Sequence, residues 1–309
     1  MPDYELSGKT ILVTGGAGFI GSHIVDAVAD RNEVRVLDRL STGSRSNLPD
    51  DVRLIEGDIR DRETVDAAMD GVDVVFHKAA MVSVPASVEQ PVACHETNGT
   101  ATVNILEAAR ANDSHVVFAS SAAIYGHPDG VPIPEDAPKR PASPYGLEKL
   151  TGDYYTRIYA DRYGLDTVSL RYFNVYGPRQ TGGQYSGVIS AFLDQARSGD
   201  PITVEGDGEQ TRDFVHVDDV VQANLRAATT DATGTSYNIG TGSNITIREL
   251  AETIKRVTST DSEIVHVDPR PGDIEQSEAD ITKASEQLGY TPTVTLEDGL
   301  SELIDSRQS

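Results

Sequence analysis

Apolar residues in the first half of the chain follow two alternating rhythms. Short unbroken runs, as in KTILVT (9–14) and VDVVFH (72–77), suit strands buried on both faces. Between them lie stretches with helical spacing, the first marked by Ile20, Ile24, Val25 and Val28. The same reading predicts strands in EVRVLD (33–38), DVRLIEGDI (51–59, ending at Asp58 and Ile59), SHVVFASS (114–121) and DTVSLRYFN (166–174). It predicts helices over RETVDAAMDG (62–71), from about Ser87 to Ala111, and over 144–164. Strands alternating with helices imply an α/β fold with a doubly wound, Rossmann-type parallel sheet. Ligands of such sheets bind beyond the carboxyl ends of the strands. Those ends carry Thr14, Asp38, Asp58, His77, Ser120, Ser121 and Asn174.

The first strand-to-helix turn holds Gly15, Gly18 and Gly21 in a G-x-x-G-x-x-G pattern. Glycines there permit a tight turn, let backbone N–H groups approach a pyrophosphate and let helix and strand pack closely. The next strand ends in Asp38, placed to accept hydrogen bonds from an adenosine ribose and to repel a 2′-phosphate. NAD is therefore favoured over NADP, and Arg39 softens that preference. From about Val175 glycine and proline become denser. The chain is accordingly divided into an NAD-binding domain at 1–174 and a smaller mixed α/β substrate-binding lobe at 175–309, with segments returning to the first domain.

Composition narrows the setting. Asp and Glu number 49 against 26 Lys and Arg, giving a net charge of −23. Such a surface repels nucleic-acid phosphates and anionic lipid, so neither is an expected partner. A charge this large suits a very salty cytoplasm, where screening relieves self-repulsion. Cys94 is the single cysteine, which fits a reducing compartment. The opening MPDYELSGKT has neither a basic nor an apolar leader segment, and no apolar run nears the ~20 residues of a membrane span, so the protein is expected to be cytoplasmic.

Tyr145 and Lys149 stand at i, i+4 spacing in SPYGLEK (143–149). A surface pair and a phenol tuned for proton transfer both satisfy that spacing. Motifs elsewhere bear on the choice: TGGAGFIG (14–21), HKAA (77–80), SSAAIYG (120–126), RYFNVYGPRQ (171–180), RDFVHVDDV (212–220), YNIGTG (237–242) and RPGD (270–273). Together with YGLEK they span almost the whole chain, and in this order they resemble the extended short-chain dehydrogenase/reductase family, particularly its nucleotide-sugar 4-epimerases.

The resemblance implies a catalytic set of Ser121, Tyr145 and Lys149, with Lys149 on the nicotinamide ribose. Lys149 and an oxidised nicotinamide would together lower the Tyr145 pKa toward neutrality. Tyr145 would take the proton of the sugar 4-hydroxyl as C4 gives up hydride, and a 4-keto sugar would turn over before the hydride returns. Cofactor contacts are implied for Gly15, Gly18, Phe19, Ile20, Asp38, Asp58, Ile59, Ala79, Ala80, Ser120, Tyr145, Lys149 and Tyr172. Substrate contacts are implied for Ser83, Ser121, Asn174, Val188, Arg212, Arg270, Asp273 and Ser277. The two arginines suit a diphosphate and Asp273 a uridine ribose. Val188, Ile189 and Phe192 suit a base-binding wall and a helix core equally. Ser277 falls where strict glucose/galactose epimerases resemble one another in carrying tyrosine, and with Ser83 and Val84 it points to room for a 2-acetamido group. No metal is implied.

His216 and Asp218 read as structural, with Asp218 as the N-cap of the helix at 219–228. Lys78 and Val82 depart from the family pattern; Lys78 either touches the cofactor or leaves the site. Ala122 and Ala123 stand where the related dehydratases carry an Asp-Glu pair and the decarboxylases a glutamate. The expected function is NAD-dependent 4-epimerisation of a UDP-sugar, glucose/galactose or its N-acetylated counterpart. Alternatives are a UDP-glucuronate 4-epimerase, a dehydratase, a one-way reductase and a non-enzymatic NAD-binding regulator. Two long helices also suit the family's two-fold helix bundle, so a homodimer is expected.

Overall fold

The computed structural model describes residues 6–180, 187–269 and 272–307. Six strands alternate with helices: β1 Thr10–Thr14, β2 Glu33–Asp38, β3 Arg53–Glu56, β4 Val74–His77, β5 His115–Ser121 and β6 Thr167–Tyr172. A seventh strand, Thr235–Ile239, joins the same sheet from late in the chain. The order is Thr235–Ile239, β6, β5, β4, β1, β2, β3, and every pairing is parallel. The order reverses between β1 and β4, whose last residues are Thr14 and His77.

Side chains leave these strands alternately to two cores. Ile11, Val13, Val36, Phe76 and Val117 pack on one face with Ile24, Val25 and Leu225. Leu12, Leu37, Val75 and Val116 pack on the other with Val65, Met69, Ile105 and Tyr159. Burial on both faces explains why these strands are apolar runs rather than alternating ones. A third core, holding Tyr176, Phe192, Leu193, Val204, Leu250 and Leu300, belongs to the chain after β6. No helix among the described residues is long and apolar enough to cross a membrane.

Several element boundaries differ from the sequence reading. The third strand stops at Glu56, which leaves Gly57, Asp58 and Ile59 in the following loop. The single helix expected from Ser87 to Ala111 is a broken rod: Val84–Glu89, Pro91–Cys94, a π-helical turn His95–Thr100, then Ala101–Asn112. Pro91 has no N–H to donate to the preceding turn, so the first segment ends there. The helix Pro144–Tyr163 is continuous; Ser143 caps it, its hydroxyl accepting from the Gly146 N–H at 3.1 Å, with Pro144 in the first turn. The helix Val217–Ala227 begins before Asp218, and its N-cap is His216, whose Nδ1 accepts from the Asp218 N–H at 3.4 Å. Asp218 therefore lies inside the first turn instead of capping it.

Candidate active site

A cavity of about 650 Å³ opens beyond the carboxyl ends of β1, β2, β4, β5 and β6. Its first wall is the β1-to-helix turn. Gly15 has φ +69°, and a Cβ there would stand 2.6 Å from the Ala79 backbone nitrogen. A Cβ on Gly21 would fall on the Gly15 carbonyl. The turn thus presses against the loop after β4 and lets the helix Phe19–Val28 start with no side-chain cap and no acid in its first turn. Uncapped N–H groups at that end suit an anion.

Asp38, expected at the adenosine ribose, lines the cavity beside this turn. Its Oδ2 accepts from the Ala17 N–H at 3.0 Å and its Oδ1 from the Leu40 N–H at 2.8 Å. Each oxygen retains a second lone pair for a ribose hydroxyl. Asp58 accepts from the Arg60 guanidinium at 2.6 Å, which holds its carboxyl below the usual range. Of the residues assigned to the cofactor, Gly15, Gly18, Phe19, Ile20, Asp38, Asp58, Ile59, Ala79, Ala80, Ser120, Tyr145, Lys149 and Tyr172 all line this cavity. The buried Ser120 hydroxyl has no hydrogen-bond partner among the described residues. A glycine cradle, an uncapped helix end and an unspent hydroxyl in one elongated cavity fit a dinucleotide.

Ser121, Tyr145 and Lys149 meet in the same cavity. Ser121 ends β5, accepts from the Ala123 N–H at 3.1 Å and lies beside the Tyr145 phenol in the cavity wall. The Tyr145 N–H donates to Ser87 Oγ at 3.2 Å, which ties the helix start to the segment after β4. Lys149 is buried and donates to the Ala119 carbonyl at 2.7 Å. Burial brings the Lys149 pKa down to about 8. Burial pushes the Tyr145 phenol above its ordinary value, and the neighbouring Ser121 hydroxyl pulls it partly back. That direction is opposite to the expected fall toward neutrality: within this chain Lys149 lies 5.9 Å from the phenol ring centre and spends its hydrogen bond on β5.

The residues assigned to substrate divide. Ser83 and Ser121 line the cavity. Ser83 also caps the helix Val84–Glu89, accepting from the Ala86 N–H at 3.1 Å. Asn174, Val188, Arg212, Asp273 and Ser277 are not among the lining residues. The Asn174 amide donates to the Asp213 carbonyl at 3.0 Å. Arg212 binds Asp273 at 2.5 Å and the carbonyls of Thr211 and Ile274, so two residues assigned to one ligand hold each other. Ile189 and Phe192 are buried in the third core and Val188 packs against it, which favours the core alternative for this trio. Ser277 is buried. Arg270 lies outside the described residues.

Other lining residues carried no assignment. Val175, Arg179 and Gln180 enter from the RYFNVYGPRQ stretch, although Asn174 does not. Asn47 lines the cavity and donates to the Ala17 carbonyl at 2.9 Å. Lys78 lines the cavity too, which resolves its two possibilities in favour of the inside. Away from the cavity, His216, Asp218 and Glu302 come close enough to suggest a metal. The Asp218 N–H occupies the Nδ1 lone pair, which leaves the proton on Nε2, so the neutral ring offers no free lone pair to a cation.

Comparison with known proteins places this geometry. Residues 11–240 match the model of the NAD dependent epimerase/dehydratase family. The chain is similar to the solved UDP-N-acetylglucosamine 4-epimerase of Methanobrevibacter ruminantium M1, a complex with UDP-N-acetylmuramic acid: 37% identity, TM-score 0.94, 98% of this chain and 99% of that one. It is similar to the UDP-glucose 4-epimerase of Thermotoga maritima, solved with UDP-glucose: 40% identity, TM-score 0.93, 97% and 98% coverage. It is also 35% identical to a UDP-N-acetyl-alpha-D-glucosaminuronate decarboxylase of Bacillus cytotoxicus, over 96% of this chain and 97% of that one.

Proposed function

The chain belongs to the NAD dependent epimerase/dehydratase family, and from that premise we propose that it interconverts the 4-epimers of a UDP-sugar, glucose/galactose or their N-acetylated forms. NAD is the cofactor. The observation that carries the reading is the meeting of Ser121, Tyr145 and Lys149 in one cavity, beside a loop whose first two residues carry no acid or base. That loop begins Ala122-Ala123, so an elimination or decarboxylation lacks the side chains that would move its extra proton.

In this reading the Tyr145 phenolate takes the proton of the 4-hydroxyl and later returns it to the 4-oxygen. Ser121, beside the same phenol in the cavity wall, would donate its one hydrogen to that oxygen and hold it in line. Lys149 is an ammonium below pH about 8 and favours the phenolate over the phenol. When bound, NAD supplies the acceptor and then the donor for the C4 hydride. The chain's part is orientation and proton transfer. Arg212 would grip the diphosphate after Asp273 releases it, while the sugar turns its other face. A UDP-N-acetyl sugar remains within the proposal because the similar M. ruminantium enzyme is named for one.

The test is NMR of purified protein incubated separately with UDP-glucose, UDP-N-acetylglucosamine and UDP-glucuronate. Appearance of the 4-epimer with no net NADH is the expected result. Loss of carbon dioxide or water, or stoichiometric NADH, would replace epimerisation with one of the sibling reactions.

A two-fold partner belongs to the same proposal. On the helix Pro144–Tyr163, Leu147 (51% exposed), Tyr154 (45%) and Ile158 (47%) form a stripe at helical spacing, and Val88 and Val92 are also exposed. A second copy packing this face gives a four-helix interface. Light scattering in high salt checks it, and a monomer at micromolar concentration would refute it.

A further inference from the structure

Lys78 is a lysine in the cavity wall with no acid beside it among the described residues. Its Nζ donates to the Tyr172 hydroxyl at 3.0 Å and to the Val117 carbonyl at 3.2 Å. Tyr172 gives its own proton to Asn224 Oδ1 at 3.0 Å, so its oxygen must accept from Lys78. Asn224 is fixed in that orientation because its Nδ2 donates to the Val220 carbonyl at 2.7 Å. Two hydrogens therefore meet two acceptors. An uncharged amine is satisfied there, while the third N–H of an ammonium points to the cavity, where no carboxylate of the described residues pairs with it.

The charged surroundings agree. Lys149 approaches from the helix Pro144–Tyr163, with Tyr145 on the same helix, and both line the cavity with Lys78. Next to Lys78 on β4, His77 is held between Thr14 and Thr102 and burial keeps its pKa at about 3, so it adds no charge. Tyr172 on β6 is neutral, its phenol pushed up by burial. Asp38, Asp58, Arg39 and Arg179 line the same cavity without an ion pair to Lys78 among the described residues. The rings of Tyr172 and Phe76, centred 5.5 and 5.9 Å from Nζ, attract an ammonium and are the groups near it that oppose this tendency. Burial first, and then the Lys149 charge, hold Lys78 well below the usual lysine range.

We infer that Lys78 is an uncharged amine in the working cavity and that its protonation weakens the binding of NAD⁺ relative to NADH. It is a charge-setting, positioning residue and not part of the proton-transfer set. The effect is reciprocal: a positive nicotinamide disfavours an ammonium nearby, so an ammonium must disfavour the positive nicotinamide equally. An uncharged Lys78 lets Lys149 carry its charge without opposing NAD⁺ a second time. This rests on the proposed function, in which Tyr145 and Lys149 mark the nicotinamide end of the cavity.

The experiment measures the NAD⁺-to-NADH ratio of dissociation constants as a function of pH for the wild type, Lys78→Met, Lys78→Gln and Lys149→Met. In the wild type the ratio should rise in two steps as pH falls. One lies near pH 8 with Lys149, the other at the Lys78 titration and worth about tenfold, the equivalent of a one-unit mutual pKa shift. Both Lys78 variants should keep the first step and lose the second. If only Lys149→Met alters the profile, the inference about Lys78 fails and the placement of the nicotinamide stands. If none of the variants alters it while cofactor still binds, the placement itself is wrong and the inference falls with it. A second measurement needs no variant to fold, because the chain has only six lysines: 9, 78, 139, 149, 255 and 283. In wild-type holoenzyme with ¹³C-labelled lysine, the Lys78 Cε resonance should titrate far below the ordinary range; an ammonium persisting above pH about 10 overturns the inference.

Discussion

Replacing Asp38 by alanine separates two jobs that one carboxylate performs. Its oxygens hold the Ala17 and Leu40 N–H groups at 3.0 and 2.8 Å, one in the glycine turn and one in the loop after β2. Leu40 sits at φ +55°, a conformation that a leucine does not favour and that this bond helps maintain. A hydrogen bond to a charged group contributes about 1.5–3 kcal/mol. Two at the low end, because the site is only half-buried, come to about 3 kcal/mol. That loss is taken from the ordered shape of the cofactor loop. At about 1.4 kcal/mol per factor of ten, NAD affinity should fall roughly a hundredfold before the lost ribose bonds are counted. NADP should lose less, since the charge that repels a 2′-phosphate has also gone. Asp38→Asn keeps one carbonyl oxygen and should fall between wild type and alanine. Calorimetric titration with both cofactors measures this, and urea unfolding of the cofactor-free protein reports the loop term alone. Unchanged NAD affinity in the alanine variant would refute both jobs. A large loss of stability with an unchanged ratio of NAD to NADP affinity would leave Asp38 a loop anchor only.

Tyr145→Phe should bind NAD as the wild type does and lose epimerisation by several orders of magnitude; retention of a tenth of the turnover by NMR would remove it from the proton-transfer role. Asp153→Asn should destabilise the fold by about 3–5 kcal/mol, since it breaks the buried bidentate pair with Arg171 at 2.9 and 3.0 Å and leaves that guanidinium uncompensated; a denaturant midpoint near wild type would show the pair contributes little. The −23 charge should make the melting temperature climb steeply from low to molar KCl, as the Debye length drops from ~10 Å at 0.1 M to ~3 Å; a flat or falling series would end the salty-cytoplasm reading.

What the sequence made legible is what is local. The span from Thr10 to Asp38 is one strand–turn–helix–strand unit, and its spacing already marks Gly15, Gly18 and Asp38, all of which line the cavity. Tyr145 and Lys149 are one helical turn apart, so their meeting needs no tertiary knowledge. Lys78 is different: its surroundings come from Val117 on β5, Tyr172 on β6 and Asn224 on a later helix, and no window of sequence contains all three. The substrate side suffered from the same separation. Arg212 meets Asp273 across sixty-one positions, and Asn174 turns to Asp213 instead of the cavity. Periodicity could not tell a helix with a π-turn from a straight one, because His95–Thr100 reads HETNGT and carries no apolar residue to register the local change of pitch. Nor could it tell that His216, and not Asp218, caps a helix, since an imidazole acceptor is an uncommon choice.

The late arrival of Thr235–Ile239 has a practical meaning for anyone dividing the gene. That strand is hydrogen-bonded along β6 from Thr235↔Val168 to Ile239↔Tyr172. A polypeptide truncated at residue 174 would end with β6 stripped of its neighbour, an apolar strand whose row of backbone donors and acceptors invites any other strand to add on. Such a fragment is a template for aggregation, not a smaller cofactor-binding protein. The first half of the molecule is thus no transplantable cassette: a chimera that exchanges sugar specificity must carry 235–239 along with 1–174, as two insertions sharing one sheet.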